Sequence, residues 1–291
     1  MTFWRKTRVF LLYASGALAL VGAVGVVWAG LIVANLKVAP RVPWCLPAIV
    51  LALRLMWLYL GGRGWPRATA TQRKTLLRAT AVPRRRFAWS LLAGGLGVAA
   101  LGGCWIVAVQ LFQMPPNPIL PQRFSSSPTF VAALIIGASL VAPITEESAM
   151  RGYLQSVLER EFSPPLAVAL SSAVFAVAHV SQGVFLPKLG VYFLAGVLFG
   201  TLAFANDSIL PVLPVHAVAD LTFFLFIWPH DQTRDVVWRH PADAWFWLHA
   251  VQAVGCSVLF VLALRHVRRL RSETPGPHDI SDEAPSKEAR C

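Results

Sequence analysis

Charge is scarce in this chain, and acidic charge is scarcest. Only 14% of its 291 residues are charged, and Asp and Glu together number 14. An ordinary soluble domain carries about 25% charged residues. With 56% hydrophobic residues and a mean hydropathy of +0.58, a water-soluble fold is excluded and a polytopic membrane protein is implied. Cysteine is also sparse. Cys45, Cys104, Cys256 and Cys291 are dispersed, so there is neither a disulfide framework nor metal-ligand spacing. Three of them lie in apolar runs, where cysteine behaves as a small hydrophobe. No HExxH occurs, which removes the one-helix zinc-peptidase motif. No GxSxG elbow lies near a histidine-bearing helix, and no two apolar runs each carry an aspartate. The serine and aspartate routes to cleavage within a membrane are therefore poor fits. The two halves show no convincing repeat, which weighs against the inverted-repeat transporters.

What is present is apolar length. A span needs about 20 residues, and eight runs approach it: roughly 10–33, 43–61, 88–112, 129–150, 165–182, 189–205, 209–228 and 244–264. The expected fold class is all-α, a polytopic transmembrane helix bundle of about eight spans with both termini cytoplasmic. The first run is too long for a signal-peptide core and reads as a retained span. The net charge of +12 follows the spans. Nineteen of the 26 basic residues fall on segments assigned to the inside, six on outer loops (Lys37, Arg41, Arg123, Lys188, Arg234, Arg239), and Arg54 within the second span. That asymmetry is the positive-inside pattern. It points to anionic lipid head groups rather than nucleic acid, and to a multi-pass protein of the cell inner (plasma) membrane. Arg54 reads as a side chain that snorkels to the interface or pairs inside the bundle.

Four segments organise the chain. Residues 1–128 hold the first three spans and a basic cytoplasmic linker, 62–86, in which RKTLLRA reads as a helix lying on the membrane. Residues 129–228 hold the polar motifs. Residues 229–271 form an outer loop and the last span, and 272–291 a Pro-, Ser- and charge-rich tail expected to be disordered. The loop MPPNPILPQRFSSSP reads as irregular. The loop 229–243, with His230, Asp231, Asp235, His240 and Asp243, reads as solvated. The sixth run, between Lys188 and Asp207, contains no ionisable residue and reads as packing.

The ionisable groups inside apolar runs are few. Of the acids, only Glu146, Glu147 and Asp220 lie there. Of seven histidines, His179 and His216 lie well inside, with His249 a weaker third. Such groups are costly in a bilayer, about 2.5–3.5 kcal/mol for a central acid on the mildest scale, and mark functional sites by default. They fall in three i, i+4 patterns: Glu146-Glu147-x-x-x-Arg151, Phe175-x-x-x-His179 and His216-x-x-x-Asp220. Glu147 and Arg151 can pair along one helix. Such a pair would keep Arg151 neutralised near the interface. Glu146 points about 100° away with no partner on its own helix, as suits a general base. The fourth helix continues to Glu161 and stops at Pro164–Pro165. Glu146 lies about 17 residues before the turn at Phe162–Ser163 and His179 about 16 after it. At about 1.5 Å per residue, an unbroken antiparallel hairpin sets them level. His179 could orient a water that Glu146 activates, and His216 with Asp220 could face an oxyanion.

EESAMR, FAVAH and HAVAD, in that order on successive apolar helices, resemble the motifs EExxxR, FxxxH and HxxxN/D of the CPBP family. These are the CAAX prenyl protease and bacteriocin-processing membrane proteins, also called Abi proteins, and they include the type II CAAX endopeptidases. The likeness covers about 141–220. It implies an intramembrane endopeptidase whose substrate is membrane-associated, prenylated or a leader peptide. Glu146 matches the glutamate that activates water, His179 its assisting histidine, and His216 and Asp220 the oxyanion pair. Glu147 and Arg151 complete the first motif, and Phe175 the second. Asp220 stands where eukaryotic members have Asn. The family has been described both as metalloproteases and as glutamate proteases, so zinc on the histidines and carboxylates stays open beside a metal-free reaction. The alternatives are a non-proteolytic bacteriocin-immunity or membrane interaction protein, a proton-coupled transporter, and a buried polar network that only holds helices in register. The expected partners are a peptide or protein substrate at the membrane and the lipid bilayer, with no nucleic acid.

Overall fold

A computed structural model describes residues 3–39, 42–113, 128–227 and 235–273. Of these residues 84% are helical, and no strand occurs among them. All eight apolar runs form helices, but they differ in reach. Five helices are long and apolar enough to cross a membrane: α1 (Phe3–Val38), α4 (Arg84–Phe112), the helix Phe130–Glu161, α8 (Leu186–Asn206) and α10 (Ala244–Ser272). Three are shorter: α2 (Cys45–Leu60), α7 (Pro164–Ala178) and the segment Val212–Ile227, which contains α9 (Val212–Thr222). The fifth apolar run is therefore not one helix over 165–182. It ends at Ala178, and the chain turns through a 3₁₀ segment, Val180–Gln182, to Gly183 at φ 113°.

The helix bearing the first motif is not uniform either. It comprises α5 (Pro128–Glu147), a π-helical stretch Ser148–Gln155, and α6 (Ser156–Glu161). Pro143 lies inside α5, where it removes one backbone donor a turn before the glutamates. The π stretch follows at once and shifts the register of Arg151 and Gln155. π segments of this kind are frequent at functional sites. The chain then reverses at Phe162–Ser163, and Pro164 and Pro165 open α7, where proline is tolerated because the first-turn N–H groups lack helical acceptors.

The core is built around this reversal. Leu154, Leu158, Phe175, Phe199 and Leu202 are buried together, and Val215 of α9 packs with them. α4 and α10 pack antiparallel along most of their length, with Trp89 beside His266 at one end and Gly103 against Ala253 further along. A methyl at Gly103 would lie 2.7 Å from the His249 carbonyl, so only glycine allows this approach. On α1 and α10, Val26, Val27, Val251 and Val254 stay exposed. Such faces suit lipid rather than water.

The basic linker does more than lie on a surface. Its helix, α3 (Ala70–Leu76), starts three residues before RKTLLRA and ends three residues short of its last residue, Ala79. Arg73 is buried, with its guanidinium over the Tyr59 ring at 4.5 Å and donating to the Gly64 carbonyl at 2.9 Å. Arg78, in the left-handed region at φ 51°, pairs with Glu159, and its Nε lies 3.3 Å from Asp207. The Arg78 carbonyl also accepts from Ile209 N at 3.0 Å. These bonds fasten the linker to the ends of α6 and α8. Arg54 is exposed, as a snorkelling side chain would be.

Two of the charges counted as loop residues lie elsewhere. Lys188 opens α8 and is only 2% exposed, and Arg151 is wholly buried rather than at an interface. Asp235 and His240 are exposed as expected, and Asp243 caps α10 by accepting from Phe246 N at 2.8 Å. His230, Asp231, most of the proline-rich loop and the tail from 274 lie outside the described residues.

Candidate active site

The residues singled out from sequence converge on one cavity of about 550 Å³. Glu146 comes from the end of α5, Phe175 and His179 from the end of α7, and His216 and Asp220 from one face of α9. Pro211 and Pro214 stand at the N-cap and in the first turn of α9, so its helical bonds from there onward are intact and His216 and Asp220 project together. Much of the remaining wall is apolar, and part of it belongs to helices outside the motifs. Trp28, Ile32 and Leu36 come from α1, Leu101 and Trp105 from α4. The cavity runs along α5 from Val131 to Glu146, about 22 Å at 1.5 Å per residue.

Behind the cavity wall lies a fully desolvated ion pair. Glu147 Oε1 and Arg151 Nη1 are 3.0 Å apart, and both side chains are 0% exposed. Arg151 Nη2 donates to the Gly196 carbonyl at 3.0 Å, and the guanidinium lies over the rings of Phe175 and Phe199 at 4.5 and 5.5 Å. Each contact offsets part of the desolvation that a buried charge incurs. One turn on, Gln155 donates to the Gly200 carbonyl at 3.0 Å. α8 thus presents two carbonyls one turn apart, at the two positions where a missing side chain lets the neighbouring helix approach. A Cβ on Gly196 would fall 2.7 Å from Ser172 Cβ and 2.8 Å from its Cα. Gly196→Ala should therefore destabilise the protein by about 1–3 kcal/mol through overpacking. A lowered unfolding midpoint in detergent is the expected reading, and an unchanged one would show that α7 and α8 can part freely.

Glu147 pairs with Arg151 at i, i+4 as its spacing allows, and a third residue joins them. His216 Nδ1 also meets Glu147 Oε1, at 2.7 Å. Counting along one helix could not show this, because His216 arrives from α9. The consequence is chemical. A carboxylate on Nδ1 fixes the ring and directs Nε2 elsewhere. Nε2 lies 3.8 Å from Glu146 Oε2 and 3.6 Å from Asp220 Oδ1. These gaps exceed a direct hydrogen bond and suit a bridging water or substrate oxygen. Glu146 Oε2 itself is buried with no hydrogen-bond partner, while its side chain retains 17% exposure toward the cavity.

His179 closes the opposite side. It caps α7, and its Nδ1 lies 2.8 Å from the Phe175 carbonyl. A carbonyl only accepts, so Nδ1 carries hydrogen and Nε2 is left for the cavity. Sequence reasoning missed three residues. Tyr192 stacks on His179 at 4.4 Å, Phe199 stacks on His216 at 4.3 Å, and Gln182 accepts from the Tyr192 hydroxyl at 2.5 Å. All three line the cavity. α8 looked like packing because it carries no acid or histidine there, and an aromatic in an apolar helix gives no separate signal. His249 is not part of this site. Its Nδ1 meets the Trp245 carbonyl at 2.8 Å, and it lines a second cavity among α4, the end of α9 and α10.

Zinc was one chemistry the sequence left open. Among the described residues no three His, Cys, Asp or Glu side chains are placed to hold one ion. His216 and His179 each commit Nδ1 to an oxygen acceptor and leave Nε2 open. As placed, however, these side chains do not gather on one point as a zinc centre requires, and the chemistry below uses the side chains alone.

Residues 128–222 match the family model described as type II CAAX prenyl endopeptidase Rce1-like. The matched stretch contains every residue of the three motifs. That stretch is similar to the Rce1-like family. Neither a curated protein nor a solved structure matches the chain. This similarity supports an endopeptidase, and the five long apolar helices of the chain support a membrane protein. α1 and α4, outside the Rce1-like stretch, supply walls of its cavity.

Proposed function

We propose that the protein is an intramembrane endopeptidase in which Glu146 activates the hydrolytic water. The observation that carries this is Glu146, which lines the cavity that His179, His216 and Asp220 also face, and whose buried Oε2 has no hydrogen-bond partner. An uncommitted acceptor in a water-poor site is what a general base requires. Glu146 takes a proton from the water as its oxygen bonds to the scissile carbonyl carbon. His179, through Nε2, holds that water in line. His216 keeps Nδ1–H on Glu147 and, with its second nitrogen protonated, turns Nε2–H to the oxyanion. Asp220 fixes that ring from the other side. Glu146 then delivers its proton to the departing amine, and a carboxylate and an amine leave. Phe175 holds the site's geometry from the cavity wall and Arg151 from behind it.

The long apolar arm of the cavity between α1 and α5 suits a substrate with a lipid group or a hydrophobic segment beside its scissile bond, such as a prenylated or leader-bearing polypeptide. In this reading the eight apolar helices all lie in the cell inner membrane with both termini cytoplasmic. Residues 129–228 act as the catalytic core, and 1–128 and 229–271 enclose it.

The test is cleavage of a quenched-peptide library, including prenylated members, by detergent-solubilised protein. Cleavage should survive a zinc chelator at full rate. Loss of cleavage on chelation, restored by zinc, would overturn the Glu146-water mechanism. No cleavage of any member would favour a non-proteolytic interaction protein on the same scaffold.

A further inference from the structure

We infer that Tyr192, braced by Gln182 and Lys188, is a positioning residue for His179; the inference rests on the endopeptidase reading above. His179 is the C-cap of α7, one residue past Ala178, with φ −96° and ψ 4°. The helix has ended there, so the helical hydrogen-bond ladder does not carry the residue onward. Its ring is held between two others: Phe175 at 4.6 Å and Tyr192 at 4.4 Å, the latter inclined by only 27°. Nδ1 is fixed on the Phe175 carbonyl, and rotation about that bond would change where Nε2 points within the cavity that Glu146 also lines. The Tyr192 face blocks that rotation.

Tyr192 is itself anchored. Its hydroxyl donates to Gln182 Oε1 at 2.5 Å, and so acts on Gln182 rather than on the imidazole. Gln182 lies in the 3₁₀ turn that leaves His179, and its N–H donates to the His179 carbonyl at 2.9 Å. Lys188 Nζ donates to the Gln182 carbonyl at 2.6 Å. A lysine exposed to only 2% is rare unless it is held by a partner. Here it staples the turn behind the histidine to the start of α8. The three residues therefore tie the imidazole plane to α8, the helix that also receives Arg151.

The test combines kinetics with histidine spectroscopy on full-length protein. Tyr192→Leu should lower kcat by about tenfold with KM unchanged, as expected when a reacting group is misaligned without loss of binding. Tyr192→Phe, which keeps the stack and loses the hydroxyl bond, should fall less. Leu194→Ala, on the same helix and 45% exposed, is the control. In protein labelled with ¹⁵N-histidine, assigned with His179→Gln, wild-type His179 should show hydrogen on Nδ1. Tyr192→Leu and Lys188→Met should show mixed tautomers, with the signals of His249 and His266 unmoved as a check on folding. Unchanged His179 signals in Tyr192→Leu, or a kcat loss no larger than that of Leu194→Ala, would overturn the inference. If wild type and Glu146→Gln are indistinguishable in cleavage, the endopeptidase reading fails instead, and the histidine spectra still decide whether Tyr192 sets His179.

Discussion

Glu146→Gln should reduce peptide-bond cleavage by about 10²–10⁴-fold, the usual contribution of a general base, and leave the fold intact. Glutamine keeps the shape and fills the same part of the cavity, but it cannot take a proton from water. The fold should tolerate the change because Glu146 Oε2 has no hydrogen bond to lose and the side chain borders open space. Removing a carboxylate from an apolar site also removes its desolvation cost. The unfolding midpoint should stay at or slightly above that of wild type. Single-turnover cleavage beside thermal unfolding in one detergent separates the two quantities. Residual cleavage within a few-fold of wild type would assign the base elsewhere.

The largest stability effect is expected at Arg151. Arg151→Leu should destabilise the protein by about 3–5 kcal/mol, the range for breaking a buried ion pair by deleting one partner. The variant loses the 3.0 Å bonds to Glu147 and to the Gly196 carbonyl, and leaves Glu147 fully buried without its guanidinium. Arg151→Leu combined with Glu147→Leu should recover much of the loss, because two apolar groups replace two desolvated charges. It should remain inactive, because His216 Nδ1 then lacks its 2.7 Å acceptor. Chemical unfolding of the single and double variants, with cleavage measured beside it, checks both statements. A single variant within about 1 kcal/mol of wild type would contradict the range expected for a buried pair.

These two expectations show how differently the neighbouring glutamates are placed, and that difference was half legible in the sequence. Adjacent positions on a helix point about 100° apart, and only Glu147 has Arg151 at i, i+4. One glutamate paired and one free follows from local geometry. That His216 shares Glu147 does not, since α9 lies far along the chain. The hairpin arithmetic for Glu146 and His179 presumed two unbroken α-helices. The structure brings both residues to one cavity, but through a π-helical stretch after Glu147 and a helix that stops just before His179.

The sequence by itself determined the membrane class, the all-helical content and the three motifs, because hydropathy and the 3.6-residue period are local properties. It also marked the polar residues in play, because an ionisable side chain in an apolar run is rare enough to stand out. Only the tertiary structure decided what surrounds them. Tyr192, Gln182, Lys188 and the carbonyls of Gly196 and Gly200 act through stacking and single hydrogen bonds between helices. No spacing rule within one helix encodes those contacts. The burial of Arg151 and Lys188 was hidden for the same reason. A cation next to a polar turn reads as a loop charge until a neighbouring helix closes over it and supplies the rings and carbonyls that replace water.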